Sequence, residues 1–272
     1  MILKDYHMHT NRCDGTVSAE EMVKAAVRQG LVEIGFSEHS HTDFDDTYCL
    51  TEEGMKEYCS EILALREKYA DQISIKLGLE MDLGSDADTE GLDYWIGSVH
   101  YVKVEAEPGA KAGDGSEAGP GGEKGIIYIP VDESGEIQRE AADRYFGGDI
   151  IAFAEEYFEA VGTVAEKTRC TIIGHFDLVA KFNEKENLFD EEDPRYVVAW
   201  KKAVDRLIPS GVPFEINTGA MSRGLRSQPY PSDSMREYIR EQGGSFILSS
   251  DSHRTDTLCF KFDDYESEVS GQ

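Results

Sequence analysis

Two histidines set two positions apart are the first residues here whose types and spacing could do chemistry. In the run Ile2-Leu3-Lys4-Asp5-Tyr6-His7-Met8-His9, apolar residues lead into His7 and His9. On a β-strand positions i and i+2 share a face, so both imidazoles can point at one object. That spacing suits two ring nitrogens ligating a single metal ion. Asp14, in the polar loop Thr10-Asn11-Arg12-Cys13-Asp14-Gly15, adds a carboxylate nearby. An H-x-H pair alone says little, and the other histidines decide its meaning. The chain has seven: His7, His9, His39, His41, His100, His175 and His253. Each falls at or just beyond the C-terminal end of an expected strand, and Glu80 and Asp251 occupy equivalent positions. Packing histidines would also turn up in helices and mid-loop, and none does. A His/carboxylate set without thiolate suits Zn²⁺, Mn²⁺ or Fe²⁺. The ligands outnumber what one ion takes, so two or three divalent ions are expected, with Glu80 as the carboxylate that bridges two of them. His41 has no ligand role in this scheme and is a candidate substrate contact or proton donor.

Positioning these groups requires strands that end side by side. Seven are expected: residues 2–9, 32–37, 73–82, 94–100, 171–177, 212–217 and 245–253. Helices are expected between them. Ser18-Ala19-Glu20-Glu21 reads as a capping box opening a helix that Gly30 closes. Residues 51–69, 149–167, 195–208 and 232–242 carry apolar stripes at helical spacing. Alternation of strand and helix argues for a parallel sheet, and its even spacing over the chain favours a barrel over an open sheet. In a parallel barrel the strands' C-terminal ends converge on one face. No G-x-G-x-x-G follows a strand, which weighs against a dinucleotide fold. The chain reads as a single domain over 1–272, with a Gly/Ala/Glu-rich insertion at about 105–124 whose composition is that of a solvated loop.

The net charge of −27 over 272 residues repels a phosphate backbone, so bulk electrostatic binding to polymeric nucleic acid is not expected. An anionic small substrate needs a local cationic site against that field. Arg223 and Arg226 flank a small-residue loop after the Glu215-Ile216-Asn217 strand end, and a guanidinium suits bidentate contact with phosphate. Five scattered cysteines without C-x-x-C read as free thiols in a reducing cytoplasm. No signal peptide is expected before a functional pair that starts at residue 7, and no apolar stretch approaches membrane-spanning length.

Taken in order, His7-Met8-His9, Asp14, Glu38-His39, Glu80, Ser98-Val99-His100, Gly174-His175-Phe176-Asp177 and Asp251-Ser252-His253 resemble the PHP (polymerase and histidinol phosphatase) metallophosphoesterases. The resemblance spans residues 7–253. Gly35-Phe36-Ser37-Glu38-His39, Gly97-Ser98-Val99-His100-Tyr101, Tyr128-Ile129-Pro130-Val131-Asp132 and Gly174-His175-Phe176-Asp177-Leu178 look like the histidinol-phosphate phosphatases within that group. The resemblance implies a distorted seven-stranded (β/α)7 TIM-like barrel with a trinuclear site at the C-terminal strand ends. It implies one ion held by His7, His9, Glu80 and Asp251, a second by Glu80, His100 and His175, and a third by Asp14, His39 and His253. Many PHP proteins carry histidine where this chain has Asp14. Glu38 and Asp177 are expected to orient ligating imidazoles, and Lys181 resembles a basic position that could reach phosphate. The implied activity is metal-assisted hydrolysis of L-histidinol phosphate to L-histidinol and phosphate in histidine biosynthesis, with Glu80, Asp251 and His253 at the reaction centre and a small-molecule ester as the only partner of a monomer or homodimer. Two rivals stand beside it: a PHP enzyme acting on a nucleotide or other small phosphate ester, and a non-catalytic metal-binding protein.

Overall fold

The computed structural model describes residues 4–105 and 125–269. Strand β1 (Lys4–Asp5) leads to His7 and His9. Helix α1 (Ala19–Gln29) follows, and β2 (Glu33–Phe36) runs up to His39. Helix α2 (Glu52–Lys68) precedes β3 (Ser74–Leu77), β4 (Glu80–Asp82) and β5 (Ile96–Ser98). Strands β6 (Tyr101–Glu105) and β7 (Ile126–Pro130) are followed by helices α3 (Gly135–Tyr145), α4 (Ile150–Val161) and α5 (Val164–Thr168). Then come β8 (Ile172–Ile173), α6 (Asn183–Glu186), α7 (Pro194–Leu207) and β9 (Phe214–Asn217). Helices α8 (Gly219–Ser222) and α9 (Asp233–Glu241), strand β10 (Phe246–Ser249) and α10 (Phe262–Val269) complete the described chain.

The result is an α/β fold with two parallel sheets, ordered β1-β2-β3 and β10-β9-β8-β5-β4, and an antiparallel β6-β7 pair. Two single parallel bridges link the larger sheets, Met8 with Ser252 and His39 with Glu80. Both bridges involve residues beside or within the histidine set, so the sheets meet where the chemistry is.

Helix ends follow the local code. Ser18 and Glu21 cap α1 reciprocally, and Gly30 ends it at φ +79°, where a residue without Cβ avoids the steric penalty. Thr51 accepts from Gly54 N at the start of α2, which buries Tyr58, Ile62 and Leu65. At about 1.5–3 kcal/mol per large apolar side chain, those three residues anchor α2 more firmly than its cap does. The two largest buried clusters lie one around α4, α7 and β8–β10 and one around α1, α2 and β2–β4, and Trp95 and Cys259 pack against both. Tyr94 joins β1, β2 and β3: its hydroxyl donates to Tyr6 O at 2.6 Å and lies 3.0 Å from Phe36 O. A Cβ on Gly35 would come within 2.4 Å of that hydroxyl and one on Gly78 within 2.2 Å of the ring, so both glycines are required by the approach.

Several expectations need correction. Strand 2–9 is reduced among the described residues to Lys4–Asp5 and an isolated bridge at Met8. Stretch 73–82 divides into β3 and β4 around Gly78-Leu79, and helix 149–167 breaks at Gly162 into α4 and α5. The β6-β7 hairpin and α3 were not expected, because the composition shift at Glu105 hides the alternation of Tyr101–Glu105. The insertion expected at about 105–124 lies, apart from Glu105, outside the described residues.

Candidate metal centre

Glu80, at the first position of β4, is buried. Five imidazole nitrogens surround its carboxylate. Oε1 lies 2.8 Å from His175 Nε2 and 3.3 Å from His100 Nε2. Oε2 lies 3.0 Å from His39 Nδ1, 3.2 Å from His7 Nε2 and 3.3 Å from His9 Nε2. The two strand-end imidazoles do face one point, with His7 Nε2 3.1 Å from His9 Nε2. Asp251 Oδ1 completes that group at 3.8 Å from His7 and 3.5 Å from His9. Asp251 reaches it from a left-handed backbone, φ +48°, a conformation that costs a residue other than glycine of order 1–3 kcal/mol. A third cluster lies outward: Asp14 Oδ2 is 3.0 Å from His253 Nε2 and 3.7 Å from His39 Nε2. The His9 ring stacks between those of His39 and His253, with centroids 4.3 and 4.4 Å away.

These donors fit metal ions. Four ligands at 2.0–2.1 Å in tetrahedral geometry stand roughly 3.3 Å from one another, and the donor separations above cluster around that value. Ligand atoms of His7, His9 and Asp251, of His39, Glu80 and His100, and of His9, Asp14, His39 and His253 lie within 4.8 Å of one another in each set. Although three ring nitrogens lie within 3.3 Å of Glu80 Oε2, it accepts no well-aligned hydrogen bond among the described residues, a costly state for a buried carboxylate oxygen that a cation would complete. Burial pushes the Glu80 carboxyl up, but His39, His7 and His100 outweigh it and hold the group well below the usual carboxylate range. Burial, with His39 and His253 alongside, pushes His9 down to about 3, whereas at His7, His39 and His100 burial is outweighed by Glu80 and the other nearby carboxylates, which push those rings up; a bound cation would displace those protons, because a ligating ring is neutral.

A second tier of carboxylates fixes the rings. His7 Nδ1 lies 2.6 Å from Glu215 Oε1, while Glu215 Oε2 accepts from His175 N at 3.0 Å. His100 Nδ1 lies 3.1 Å from Asp82 Oδ2, and Asp82 Oδ1 accepts from Gly84 N at 2.7 Å. Metal-bound histidines commonly give their other ring N–H to such a carboxylate. Sequence reasoning missed both residues. Asp82 was legible as the same-face neighbour of Glu80 on one strand, and Glu215 as a lone acid in the buried run of β9.

Glu38 and Asp177 are corrected. Glu38 contacts no imidazole: it accepts from Thr10 N at 3.0 and 3.2 Å, from Thr10 Oγ1 and from the Cys13 thiol. Burial pushes its carboxyl up to about 6, against the Cys13 and Thr10 hydrogen bonds that favour the anion. Asp177 pairs instead with Arg226, Oδ2 to Nη1 at 2.9 Å. Arg226 is consequently not a surface cation: it is buried, with its guanidinium 4.5 Å from the Tyr230 ring. Arg223 does reach the cup. Its Nη2 is 3.0 Å from Asp251 Oδ2 and its Nη1 3.2 Å from His253 Nδ1, with a third of the side chain exposed. Lys181 donates to Asp132 O at 2.8 Å and Asp132 Oδ2 at 3.0 Å. Asp132 follows Val131, whose N–H donates to His100 O, so the Lys181–Asp132 pair stands beside the His100 end of the cup. His41 stands apart from the other six histidines: its Nε2 is 3.3 Å from Asp43 Oδ1 and it lines a cavity of about 600 Å³ with Ser40, Leu50, Met55 and Asp86.

The PHP domain profile matches residues 5–219 of this chain. A Schizosaccharomyces pombe protein named a probable histidinol-phosphatase is 29% identical over 86% of this chain and 74% of its own length. A Deinococcus radiodurans protein of the same description is 27% identical over 98% and 92%. Among solved structures, a Listeria monocytogenes protein provisionally assigned as the histidinol phosphatase HisK superposes with a TM-score of 0.74 at 21% identity, over 96% of this chain and 99% of that one. The Lactococcus lactis histidinol phosphate phosphatase, solved with zinc, L-histidinol and phosphate, gives 0.65 at 22% identity, over 98% and 92%. At these identities the superpositions show a shared fold.

Proposed function

The chain belongs to the PHP domain family, and from that premise we propose that it is a metal-dependent phosphomonoesterase that hydrolyses L-histidinol phosphate to L-histidinol and inorganic phosphate. The observation that carries the reading is the buried Glu80 carboxylate ringed by five imidazole nitrogens. The names of the S. pombe and D. radiodurans relatives, and the histidinol and phosphate bound by the L. lactis enzyme, supply the substrate.

Two or three divalent ions of zinc, manganese or iron are assigned to the cup. The first would be held by His7, His9, Glu80 and Asp251, the second by Glu80, His100 and His175, and the third by Asp14, His39 and His253. His39 turns one ring nitrogen to Glu80 and the other toward Asp14, which supports two neighbouring ions sharing the ring's surroundings. When bound, such ions acidify water to a pKa of about 7 and offset charge on phosphate oxygens. Arg223, at the mouth, takes the phosphate's remaining oxygens in bidentate fashion while its contact with Asp251 fixes its direction. Lys181, steered by Asp132, is the second cation, and Arg226 acts at one remove by holding Asp177. The proton for the departing alkoxide comes from water or from a site acid, Asp251 or His253. His41, outside the cup, is left with the substrate's far end or none of it.

The barrel is part of this proposal. If the Met8–Ser252 and His39–Glu80 bridges are counted as strand contacts, and β3 with β4 as one strand, the two parallel sheets close into seven strands. The shared packing of Trp95 and Cys259 on both core clusters supports one domain. Among the described residues no helix is long and apolar enough to cross a membrane, and the acidic surface favours a small ester over a polymer.

The test is phosphate release from histidinol phosphate, nucleoside monophosphates and p-nitrophenyl phosphate, with metal content measured on the same sample. Histidinol phosphate is expected to lead the panel. A nucleotide preferred tenfold, or a metal-loaded protein that hydrolyses nothing, overturns the reading.

A further inference from the structure

His7 and His100 each turn the ring nitrogen away from Glu80 toward a carboxylate, Glu215 and Asp82. His9 does not. Its Nδ1 lies 3.6 Å from the Cys13 sulfur and 3.8 Å from Asp14 Oδ1. The second distance is too long for an N–H···O hydrogen bond, whereas a contact to sulfur is longer by nature. The thiol in turn donates its hydrogen to Glu38, whose carboxylate is fully buried and tied down by Thr10 N and Oγ1. The four groups are linked through the thiol: its hydrogen goes to Glu38, which also accepts from Thr10 N and Oγ1, with Asp14 Oδ1 at 3.3 Å as a second acceptor, and the sulfur faces His9 Nδ1.

We propose that Cys13 is a positioning residue for His9, a thiol relay that fixes the ring's tautomer with the proton on Nδ1 and frees the Nε2 lone pair for the metal. The inference rests on the reading of His9 as a metal ligand. Its donor atom and those of Cys13 and Glu38 lie within 4.8 Å of one another, a spacing that could also describe a sulfur-ligated ion. The hydrogen bonding speaks for the relay, because Glu38 is already engaged by Thr10 and the thiol proton. A neutral thiol polarises the imidazole less than the carboxylates behind His7 and His100 do. His9 is therefore the least basic of these three ligands, and the weaker of the two imidazoles assigned to the ion it shares with His7.

The experiment compares wild type, Cys13→Ala, Cys13→Ser and, as a control, Cys59→Ala on α2. Zinc affinity is measured by chelator competition, the d–d spectrum after cobalt substitution, and the melting temperature without metal. Loss of such an outer partner typically weakens metal binding 10–100-fold. Cys13→Ala is expected to fall in that range with a changed cobalt spectrum, Cys13→Ser to recover part of it at an unchanged metal-free melting temperature, and Cys59→Ala to match wild type. If Cys13→Ala does not fold, Cys13→Ser carries the test, with a weakening of at least threefold. Affinity within twofold of wild type and an unaltered spectrum in both Cys13 variants overturn the proposal. So does a thiolate-to-cobalt charge-transfer band in wild type, which would make the sulfur itself a ligand. None of these readouts measures phosphate release. A chain that responds as described yet spares histidinol phosphate keeps the relay and loses the proposed substrate, and the converse result does the opposite.

Discussion

Replacing Glu80 by Gln keeps the size of the side chain and removes its charge. Two ring nitrogens lie within 3.3 Å of Oε1 and three within 3.3 Å of Oε2. An amide can present one oxygen to one of these groups and must turn an NH₂ toward the other. One ion then loses a ligand and the second loses its shared anion. Removing one partner of a buried charged pair costs about 3–5 kcal/mol. At about 1.4 kcal/mol per factor of ten, that is roughly 10²–10⁴-fold in metal affinity. The assay is dialysis of Glu80→Gln and wild type against a graded chelator, with metal per chain counted by elemental analysis and phosphate release followed in parallel. The variant is expected to lose at least one ion at chelator levels that leave wild type loaded, and to lose most of its phosphatase activity. Full metal retention with kcat within about threefold of wild type would refute the bridging role.

Arg223→Lys preserves a cation but loses the two-pronged contact; KM for the phosphate ester is expected to rise about tenfold or more, in steady-state kinetics at saturating metal, with zinc affinity nearly unchanged. Arg226→Leu leaves Asp177 charged and unpaired in the interior. It should cost about 3–5 kcal/mol of stability, read as a fall in melting temperature of roughly 6 °C or more, whereas a surface or phosphate-binding arginine would leave the melting temperature in place.

The metal cup was legible because histidine and carboxylate chemistry coincided with strand ends, a pattern that needs only local periodicity to see. His7, His9, His39, His100, His175, His253, Glu80, Asp14 and Asp251 gather as that pattern implies. What escaped was set by pairing across space. Asp177 and Arg226 are 49 positions apart, and nothing near either one announces an ion pair. Glu215 reaches His7 over 208 positions. Glu38 was expected to orient a ligating imidazole directly; it meets Thr10 and Cys13 instead, residues 28 and 25 positions away. Tyr101–Glu105 has the alternation of a strand but runs into a Gly/Ala/Glu-rich segment, and composition overrode periodicity there.

The contacts that join His7 and His9 to Ser252 have a temporal side. Ser250 N donates to Asp5 Oδ1 over 245 positions, so the residues that flank the cup on both sides are made far apart in time on the ribosome. Contacts of such separation form late, since a long loop must close before they are rewarded. Until Asp251 and His253 emerge, His7, His9 and Glu80 form an open half-shell. Glu80, His100 and His175 are made well before that point, whereas the sets assigned to the first and third ions gain their last members, Asp251 and His253, only near the end of synthesis.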